Sequence, residues 1–273
     1  MISRSRLARA VVCLVAGLGT ASCGASLMKL PAGPGAPAAD ARDALNQATD
    51  VCRTIKTFTA ESSVSGSVGG RGLRARLNIG LQAPDSARLE AIGPFARLLF
   101  TFAASGDSAT LVLHDDDRVL RNGQAAAVLE ALTGVPVDAA DLREALTGCA
   151  SSEAVAGEAR QLGDDWRTLQ IGSTTLYLRR EPRTAPWRLV AAVHRPADRG
   201  EWRAEYRDFV DGLPQRVRLA SSDVDRFDLR LAISGIELNP PLSPAAFEVR
   251  IPAAARPITL DELRRAGPLR DEP

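Results

Sequence analysis

The clearest pattern along the chain is an alternation of apolar and polar side chains that recurs between residues 57 and 233. In segment 73–81 every second residue is Leu, Ala or Ile, and the residues between them are Arg, Asn or Gly. Segment 227–233 alternates in a similar way. Because successive side chains of a β-strand point to opposite faces, this period predicts an antiparallel sheet with one apolar and one polar face.

Apolar residues at helical spacing occur before, within and after this alternating region. Asp40 is a suitable N-cap for a leading helix. A pair of short helices is predicted over residues 125–132 and after Asp138, and both fall between strands. Thr259 and Glu262 have the spacing of a capping box and predict a short terminal helix.

The alternating segments number about ten to eleven. We therefore predict an α+β fold, a half-closed antiparallel β-barrel with an N-terminal helix and an inserted helical lid. This domain is expected to span residues 40–251. Residues 23–39, rich in Pro and Gly, are expected to be a flexible tether, and residues 252–273 a tail with a short helix.

Two of the predicted strands meet at Gly93-Pro94, a pair that favours a turn. Phe95 follows directly and is placed at the tip of the connection, where a side chain is solvated rather than packed. Solvation of a phenylalanine is costly and therefore points to a use. The alternative is that Phe95 folds back onto its own strands.

Composition and charge exclude several classes of function. The chain has 34 basic and 33 acidic side chains, so no basic field favours nucleic acid. His114 and His194 are far apart and lack Cys or Glu neighbours at ligand spacing, and Asp115 to Asp117 read as a hairpin turn. We expect no metal and no cofactor. Since neither a Gly-x-Ser-x-Gly elbow nor a credible Ser/His/Asp order is present, we expect no enzyme activity.

The N-terminal residues have the features of a secretory signal. Arg4, Arg6 and Arg9 form a positive region, and the apolar segment 10–18 is too short to span a bilayer. Residues 1–22 are therefore expected to be a signal peptide, which directs the chain out of the cytoplasm.

The signal ends in Thr20-Ala-Ser-Cys23, which resembles the lipobox of bacterial lipoproteins. This resemblance implies that Cys23 is lipidated and becomes the mature N-terminus. Gly24 follows where an Asp would retain the lipoprotein in the inner membrane, so the resemblance also implies sorting to the outer membrane. The alternative is a plain secreted protein that is cleaved after Ser22.

Two cysteines remain for the folded part of the chain, Cys52 and Cys149. In an oxidising compartment an isolated pair favours a disulfide over two free thiols. The loop that it closes is long, so in the chain-entropy model it stabilises the fold by about 4 to 5 kcal/mol.

The predicted inner face of the sheet is aliphatic and has few aromatic side chains, which suits a flexible hydrocarbon guest. Positions expected to line this acyl-chain cavity are Leu77, Ile79, Leu89, Leu111, Leu229 and Leu231. The alternative is that the inserted helices fill the interior. The pattern alone leaves both possibilities open.

Three segments, in order, carry a family resemblance: Ile92-Gly-Pro-Phe-Ala96, residues 127–134, and residues 135–148. Their order and spacing resemble the LolB-like family of outer-membrane lipoprotein receptors, within the LolA and LolB type of half-barrel lipoproteins. The resemblance covers residues 40–149. The chain departs from the family by Ala96, by a longer second half and by the tail from Asn239.

The resemblance implies a receptor that takes lipoproteins from a periplasmic LolA-like carrier, holds their acyl chains in the half-barrel and inserts them into the outer membrane. The loop leucine that the family needs for insertion falls on Phe95, so Pro94 and Phe95 are the expected membrane-insertion loop. We expect a monomeric lipoprotein on the periplasmic face of the outer membrane. The alternative is a structural or regulatory lipoprotein with a plugged half-barrel that binds a protein partner.

Overall fold

The computed structural model describes residues 26–150, 157–197, 200–223 and 225–266. The expected signal peptide, Cys23 and Gly24 lie outside the described residues. In the part that is described, the α-helices are α1 (Ala41–Ala48), α2 (Ala125–Thr133), α3 (Ala139–Thr147) and α4 (Leu260–Ala266). Short 3-10 turns occur at Asp50–Thr54, Pro94–Ala96 and Pro244–Phe247.

All strands of the described chain belong to one sheet. They are β1 (Ala36–Pro37), β2 (Thr57–Val68), β3 (Arg71–Gln82), β4 (Ser86–Ile92), β5 (Leu98–Ser105), β6 (Ser108–Leu113), β7 (Arg118–Gln124), β8 (Ala159–Leu162), β9 (Trp166–Ile171), β10 (Thr174–Arg179), β11 (Arg188–His194), β12 (Trp202–Val210), β13 (Leu213–Ser221), β14 (Phe227–Leu238) and β15 (Arg256–Pro257). The expected number of strands was wrong, because the sheet has 15. Among the strands that sequence counting missed are the two-residue strands β1 and β15, which are too short to show any period.

The strand order is β1-β8-β9-β10-β11-β12-β13-β14-β2-β3-β4-β5-β6-β7-β15. Two meanders therefore lie side by side, and they join where β14 pairs with β2. Each pairing is antiparallel except that of β15 with β7. Since β1 and β15 stand at opposite ends of this order, the sheet does not close. The prediction of an open, mostly antiparallel sheet with few helices is confirmed.

The pairing register places several turns at one end of the sheet. Val68 pairs with both Arg71 and Phe227, so the β2–β3 and β13–β14 turns lie together. Ile92 pairs with Arg76, so the turn that carries Phe95 follows at the same end. We call this the Phe95 end of the sheet.

The opposite end contains the β3–β4 and β12–β13 turns. A Cβ atom placed on Gly148 would lie 3.8 Å from Pro214, just after the β12–β13 turn. Cys149 forms a disulfide with Cys52, and the two Cα atoms are 5.4 Å apart. We call this the disulfide end.

Gly66 lies within β2, where it faces β14. A Cβ atom at this position would lie 1.9 Å from the carbonyl oxygen of Asp228 on β14. The two meanders approach each other so closely here that a side chain is excluded. Ser62 and Gly66 interrupt the apolar inner face of β2, which weakens its alternation in the sequence.

The N-terminal segment was expected to be a flexible tether, yet its described part is docked on the body. Residues 36–37 pair with β8, and Ala38 is buried. The backbone N–H of Met28 donates a hydrogen bond of 2.6 Å to a carboxylate oxygen of Glu205. The Glu205 side chain is only 1% exposed. Because a buried carboxylate is costly without hydrogen-bond donors, the bond from Met28 holds the segment in this position.

The C-terminal tail also packs on the domain that was expected to end at residue 251. Ile258 and Leu263 are buried, and Arg118 on β7 forms a 3.3 Å ion pair with Glu262. The Thr259 hydroxyl accepts from the backbone N–H of Glu262, whose carboxylate accepts from the N–H of Thr259. This capped α4 lies against α2.

Removal of the disulfide is expected to destabilise the protein. The two cysteines are 97 residues apart in sequence, so the cross-link restricts a long loop of the unfolded chain. For the double variant Cys52→Ser/Cys149→Ser we expect the free energy of unfolding to fall by about 4 to 5 kcal/mol in chemical denaturation. A loss below about 1 kcal/mol would contradict the entropic argument.

Candidate functional site

A helical hairpin, residues 125–147, covers the apolar face of the sheet, and we call it the lid. It begins at the disulfide end, where the N–H of Ala125 donates to the carbonyl of Asp107 at 2.8 Å. Its tip reaches the Phe95 end, where a Cβ on Gly134 would contact Val68. The hairpin then returns to Cys149. Both of its roots are therefore at the disulfide end, one of them fixed by the cross-link.

Local sequence explains why the lid turns where it does. Gly134 and Gly148 end α2 and α3 in the left-handed conformation, which glycine adopts without strain. Asp138 caps α3 by accepting from the N–H of Asp141 at 2.8 Å. The predicted helix pair and its Asp138 cap therefore match the observed elements.

A cavity of about 70 Å³ lies between the lid and the sheet. Every lining side chain except Thr133 is apolar. The sheet contributes Val64, Leu73, Ala75, Leu77, Ile79, Leu89, Phe100, Leu219, Leu229 and Leu231, and the lid contributes Leu129, Leu132, Thr133, Val135, Val137, Leu142 and Leu146. Five of the six positions proposed from sequence are in this lining.

The sixth position, Leu111, does not line the cavity. It lies on β6 and is fully buried, in the part of the sheet that α2 contacts. Sequence alternation identified the correct face of β6, but it gave no information on where the lid touches the sheet and where it leaves space.

The size of the cavity shows that the lid is closed. An apolar cavity of ~150 Å³ is enough to bind benzene, whereas this one is about 70 Å³. An acyl chain of many methylene groups is far larger than benzene. Such a chain fits between sheet and lid only if the lid moves away from the sheet.

The accessible side of the cavity is at the Phe95 end. Leu73, Ala75 and Leu77 are half-buried, whereas Ile79, further along β3, is buried. Pairing between β3 and β4 stops at Arg76, so the β3 segment that carries Leu73 and Ala75 extends past β4. The mouth of the cavity therefore opens towards the turn that carries Phe95.

Phe95 is 99% exposed at the tip of the β4–β5 turn. Its backbone is left-handed, with φ 58° and ψ 26°, and Ala96 follows with φ 59°. The turn is closed by the N–H of Gly93, which donates to the carbonyl of Arg97 at 2.8 Å. For a bulky side chain this conformation costs about 1–3 kcal/mol. Neither the exposure nor the backbone conformation stabilises the fold, so both point to a function.

A second cavity, of about 240 Å³, lies on the other side of α3. Polar side chains from the helix and from the sheet face it, including Glu144, His194 and Tyr206. The His194 ring stacks on Trp202 with centroids 3.8 Å apart, and its Nδ1 lies 3.0 Å from the Thr174 hydroxyl. Sequence reasoning assigned no site to His194 and missed this cavity, because the lid that forms it is distant in sequence.

His194 is expected to make stability depend on pH. Burial lowers the pKa of His194 from 6.5 to about 4. Between these values the unfolded chain binds a proton that the native protein does not, so the free energy of unfolding falls as pH decreases from about 6.5 to 4. We expect a loss of up to about 3 kcal/mol. In denaturation curves, His194→Gln should remove this part of the dependence, and an unchanged slope would contradict the assignment.

The described residues contain no group of three or more His, Cys, Asp or Glu side chains arranged to hold a metal ion. Asp115 of the acidic turn instead forms a 2.5 Å ion pair with Arg97. None of the helices in the described ranges is long and apolar enough to cross a membrane.

The open antiparallel sheet and the helical hairpin over its apolar face define the fold that is compared with known structures. The fold is similar to that of the LolA superfamily. A LolA superfamily protein from Nitrosomonas europaea superposes with a TM-score of 0.55 and 11% identity, covering 77% of this chain and 97% of that one. A DUF1329 family protein from Desulfovibrio piger gives a TM-score of 0.50 and 12% identity, with coverage of 76% and 97%. The sequence matches no protein-family model and no curated protein.

At these identities the LolA-like likeness concerns the fold alone. It agrees with the half-barrel architecture expected from the sequence, and it does not distinguish a LolB-like receptor from other proteins with this fold. The site itself must therefore carry the argument about function.

Proposed function

We propose that this protein binds the acyl chains of lipids or lipoproteins between sheet and lid, and that it helps to receive or insert lipoproteins at the outer membrane. The observation that carries the proposal is the position of the apolar cavity, whose accessible side faces the same end of the sheet as the solvated Phe95. Phe95 and the preceding Pro94 form the membrane-insertion loop of this proposal.

The energetics of acyl-chain burial suit a carrier. Burial of hydrocarbon stabilises a bound chain by about 0.8 kcal/mol per methylene. Release therefore requires a destination that is equally apolar, and a bilayer meets this condition. No bond is made or broken in this cycle, so the proposal assigns no enzyme activity and requires no metal or cofactor.

The N-terminal features complete the proposal. Residues 1–22 act as the signal peptide, and Cys23 carries the lipid that anchors the protein at the periplasmic face of the outer membrane. A LolA-like carrier supplies the cargo to a monomeric receptor. The domain boundaries at residues 40 and 251 are extended by the docked segments on both sides, which support the sheet edges.

The small volume of the cavity favours a second candidate, a scaffold lipoprotein whose lid never opens. In that case the surface of the half-barrel binds a protein partner, and the apolar interior serves only as the core. The two candidates predict different contents of the purified protein.

The test is denaturing extraction of the purified protein followed by quantification of acyl chains. We expect stoichiometric recovery, together with saturable uptake of a fluorescent fatty acid. Ala75→Trp narrows the mouth of the cavity and is expected to weaken that uptake, whereas Val210→Trp at the disulfide end serves as the matched control. If extraction yields no acyl chains and uptake does not saturate, the scaffold is the correct candidate.

A further inference from the structure

The polar outer face of the sheet carries a row of charged side chains that the acyl-chain site does not use. The register aligns Glu205 of β12 with Arg218 of β13, which aligns with Arg230 of β14. Arg230 is opposite Ser65 of β2, and Ser65 is opposite Arg74 of β3. Side chains that are directly opposite in a sheet share one face and lie about 4.5–5.5 Å apart at Cβ. The row therefore runs continuously across five strands.

The neighbouring rows widen this feature into a band. Arg207 pairs with Arg216, and Ser63 pairs with Arg76. We call the whole set the arginine band, with Arg74, Arg76, Arg203, Arg207, Arg216, Arg218 and Arg230 as its members. Ser63 and Ser65 are short, so they form the floor of a trough of about 280 Å³ that Arg216, Arg218 and Arg230 line on one side.

Carboxylates compensate only part of the positive charge of the band. Glu205 pairs with Arg203 and Arg207, and Asp228 pairs with Arg218 and Arg230. Asp208 pairs with Arg216. Arg74 and Arg76 are exposed and make no ion pair within the described ranges. The band therefore has more arginines than carboxylates, and its uncompensated members lie on β3.

The uncompensated arginines are next to the Phe95 turn. Arg76 is opposite Ile92, the last residue of β4, and the chain then continues through Gly93 into the turn. Arg97, at the other side of the turn, is also exposed and forms an ion pair with Asp115. A solvated aromatic tip beside basic side chains is the combination by which peripheral proteins engage the headgroup layer of a bilayer.

The N-terminal segment approaches the same band from its other side. Met28 is held at Glu205 by a hydrogen bond of 2.6 Å. Only residues 24–27 lie between Cys23 and Met28. These two residues are therefore at most about 18 Å apart when the chain is fully extended. A lipid on Cys23 would thus keep the arginine band close to the membrane surface.

From the charge, the register and the position of this segment, we propose that the arginine band is a docking surface for the anionic phosphate headgroups of a lipid bilayer. It holds the Phe95 end of the half-barrel against the membrane, so that the mouth of the cavity opens onto the acyl layer. This inference rests on the proposed function for its purpose, but the contact with headgroups is separate from acyl-chain binding.

The test uses the full chain with Cys23→Ser in every sample, so that a covalent lipid does not mask the effect. Co-sedimentation is measured with vesicles of phosphatidylcholine alone and of phosphatidylcholine with phosphatidylglycerol. We expect preferential binding to the anionic vesicles, and this preference should weaken as salt is added. Arg74→Gln/Arg76→Gln is expected to weaken binding to anionic vesicles by roughly 25-fold, since each basic side chain at a membrane surface contributes about fivefold.

The matched control is Arg42→Gln/Arg250→Gln, which removes the same charge from exposed positions outside the band and should leave binding nearly unchanged. Equal binding of the parent protein to both kinds of vesicle would overturn the proposal and leave the band as a surface for an acidic protein. An equal loss in the two double variants would also overturn it, because net charge alone would then explain binding. Uptake of a fluorescent fatty acid, measured in parallel, reports on the proposed function independently of these outcomes.

Discussion

Replacing Phe95 with glutamate is expected to lower the delivery of acyl chains to liposomes by at least about tenfold, while binding of acyl chains is retained. The reason is that burial of a phenylalanine side chain in an apolar phase is worth about 1.5–3 kcal/mol, which a carboxylate does not supply. Because Phe95 is 99% exposed and outside the cavity lining, its replacement leaves the binding site intact. Transfer of a fluorescent acyl chain from the loaded protein to liposomes measures the effect.

Two further variants separate loss of membrane contact from damage to the fold. Val210 is 55% exposed at the disulfide end, so Val210→Glu places the same charge on a comparable apolar position without affecting delivery. Phe95→Gly relieves the left-handed backbone and is expected to raise the free energy of unfolding by about 1 kcal/mol, yet delivery still falls. Unchanged delivery by Phe95→Glu would show that the turn has no role in transfer.

The alternation of side chains predicted the sheet because one face of it is buried throughout. This rule worked best in β3 and β14, where aliphatic residues alternate with polar ones. It was weakest in β2, whose apolar inner face is interrupted by Ser62 and Gly66, and it cannot detect strands of two residues. The number of strands was underestimated for these reasons, whereas the open, mostly antiparallel sheet with few helices was predicted correctly.

The docking of both terminal segments was not predictable from local pattern. Met28 is bound by Glu205, and Arg118 is bound by Glu262, so both contacts join residues that are far apart in sequence. Asp40 is a suitable N-cap by sequence. In the structure its carboxylate forms a 2.7 Å ion pair with Arg167, and its side chain does not cap α1. Segments rich in Pro and Gly read as linkers unless such long-range partners are known.

Part of the candidate site was predictable from sequence, because local patterns mark turns and the apolar face of a sheet. The Gly-Pro pair marks the turn of Phe95, and alternation marks the inner face that lines the cavity. The left-handed backbone of Phe95 and the gap between lid and sheet arise from three-dimensional packing and leave no sequence signal. The position of Leu111 shows this limit, since its face is correct but α2 contacts the sheet in that region.

A cross-link between the lid tip and the sheet is expected to prevent uptake of acyl chains. A Cβ atom built on Gly134 lies 3.8 Å from the Cβ of Val68, which is the separation found in disulfides. In Val68→Cys/Gly134→Cys the oxidised lid would be fixed at the Phe95 end as well as at Cys149. Since the closed cavity of about 70 Å³ is too small for a long acyl chain, we expect uptake of a fluorescent fatty acid to slow by at least about tenfold on oxidation and to recover on reduction.

The controls follow from the same geometry. Gly134 has φ 73°, so Gly134→Cys alone reports the cost of a side chain in the left-handed conformation, and Val68→Cys alone reports the loss of a buried valine. The parent protein under the same reducing conditions accounts for any loss of the Cys52–Cys149 cross-link. Equal uptake by the oxidised and reduced double variant would mean that movement of the lid tip does not control uptake. In that event either α3 moves alone towards the second cavity or the interior never admits a hydrocarbon, and extraction of bound acyl chains distinguishes these two cases.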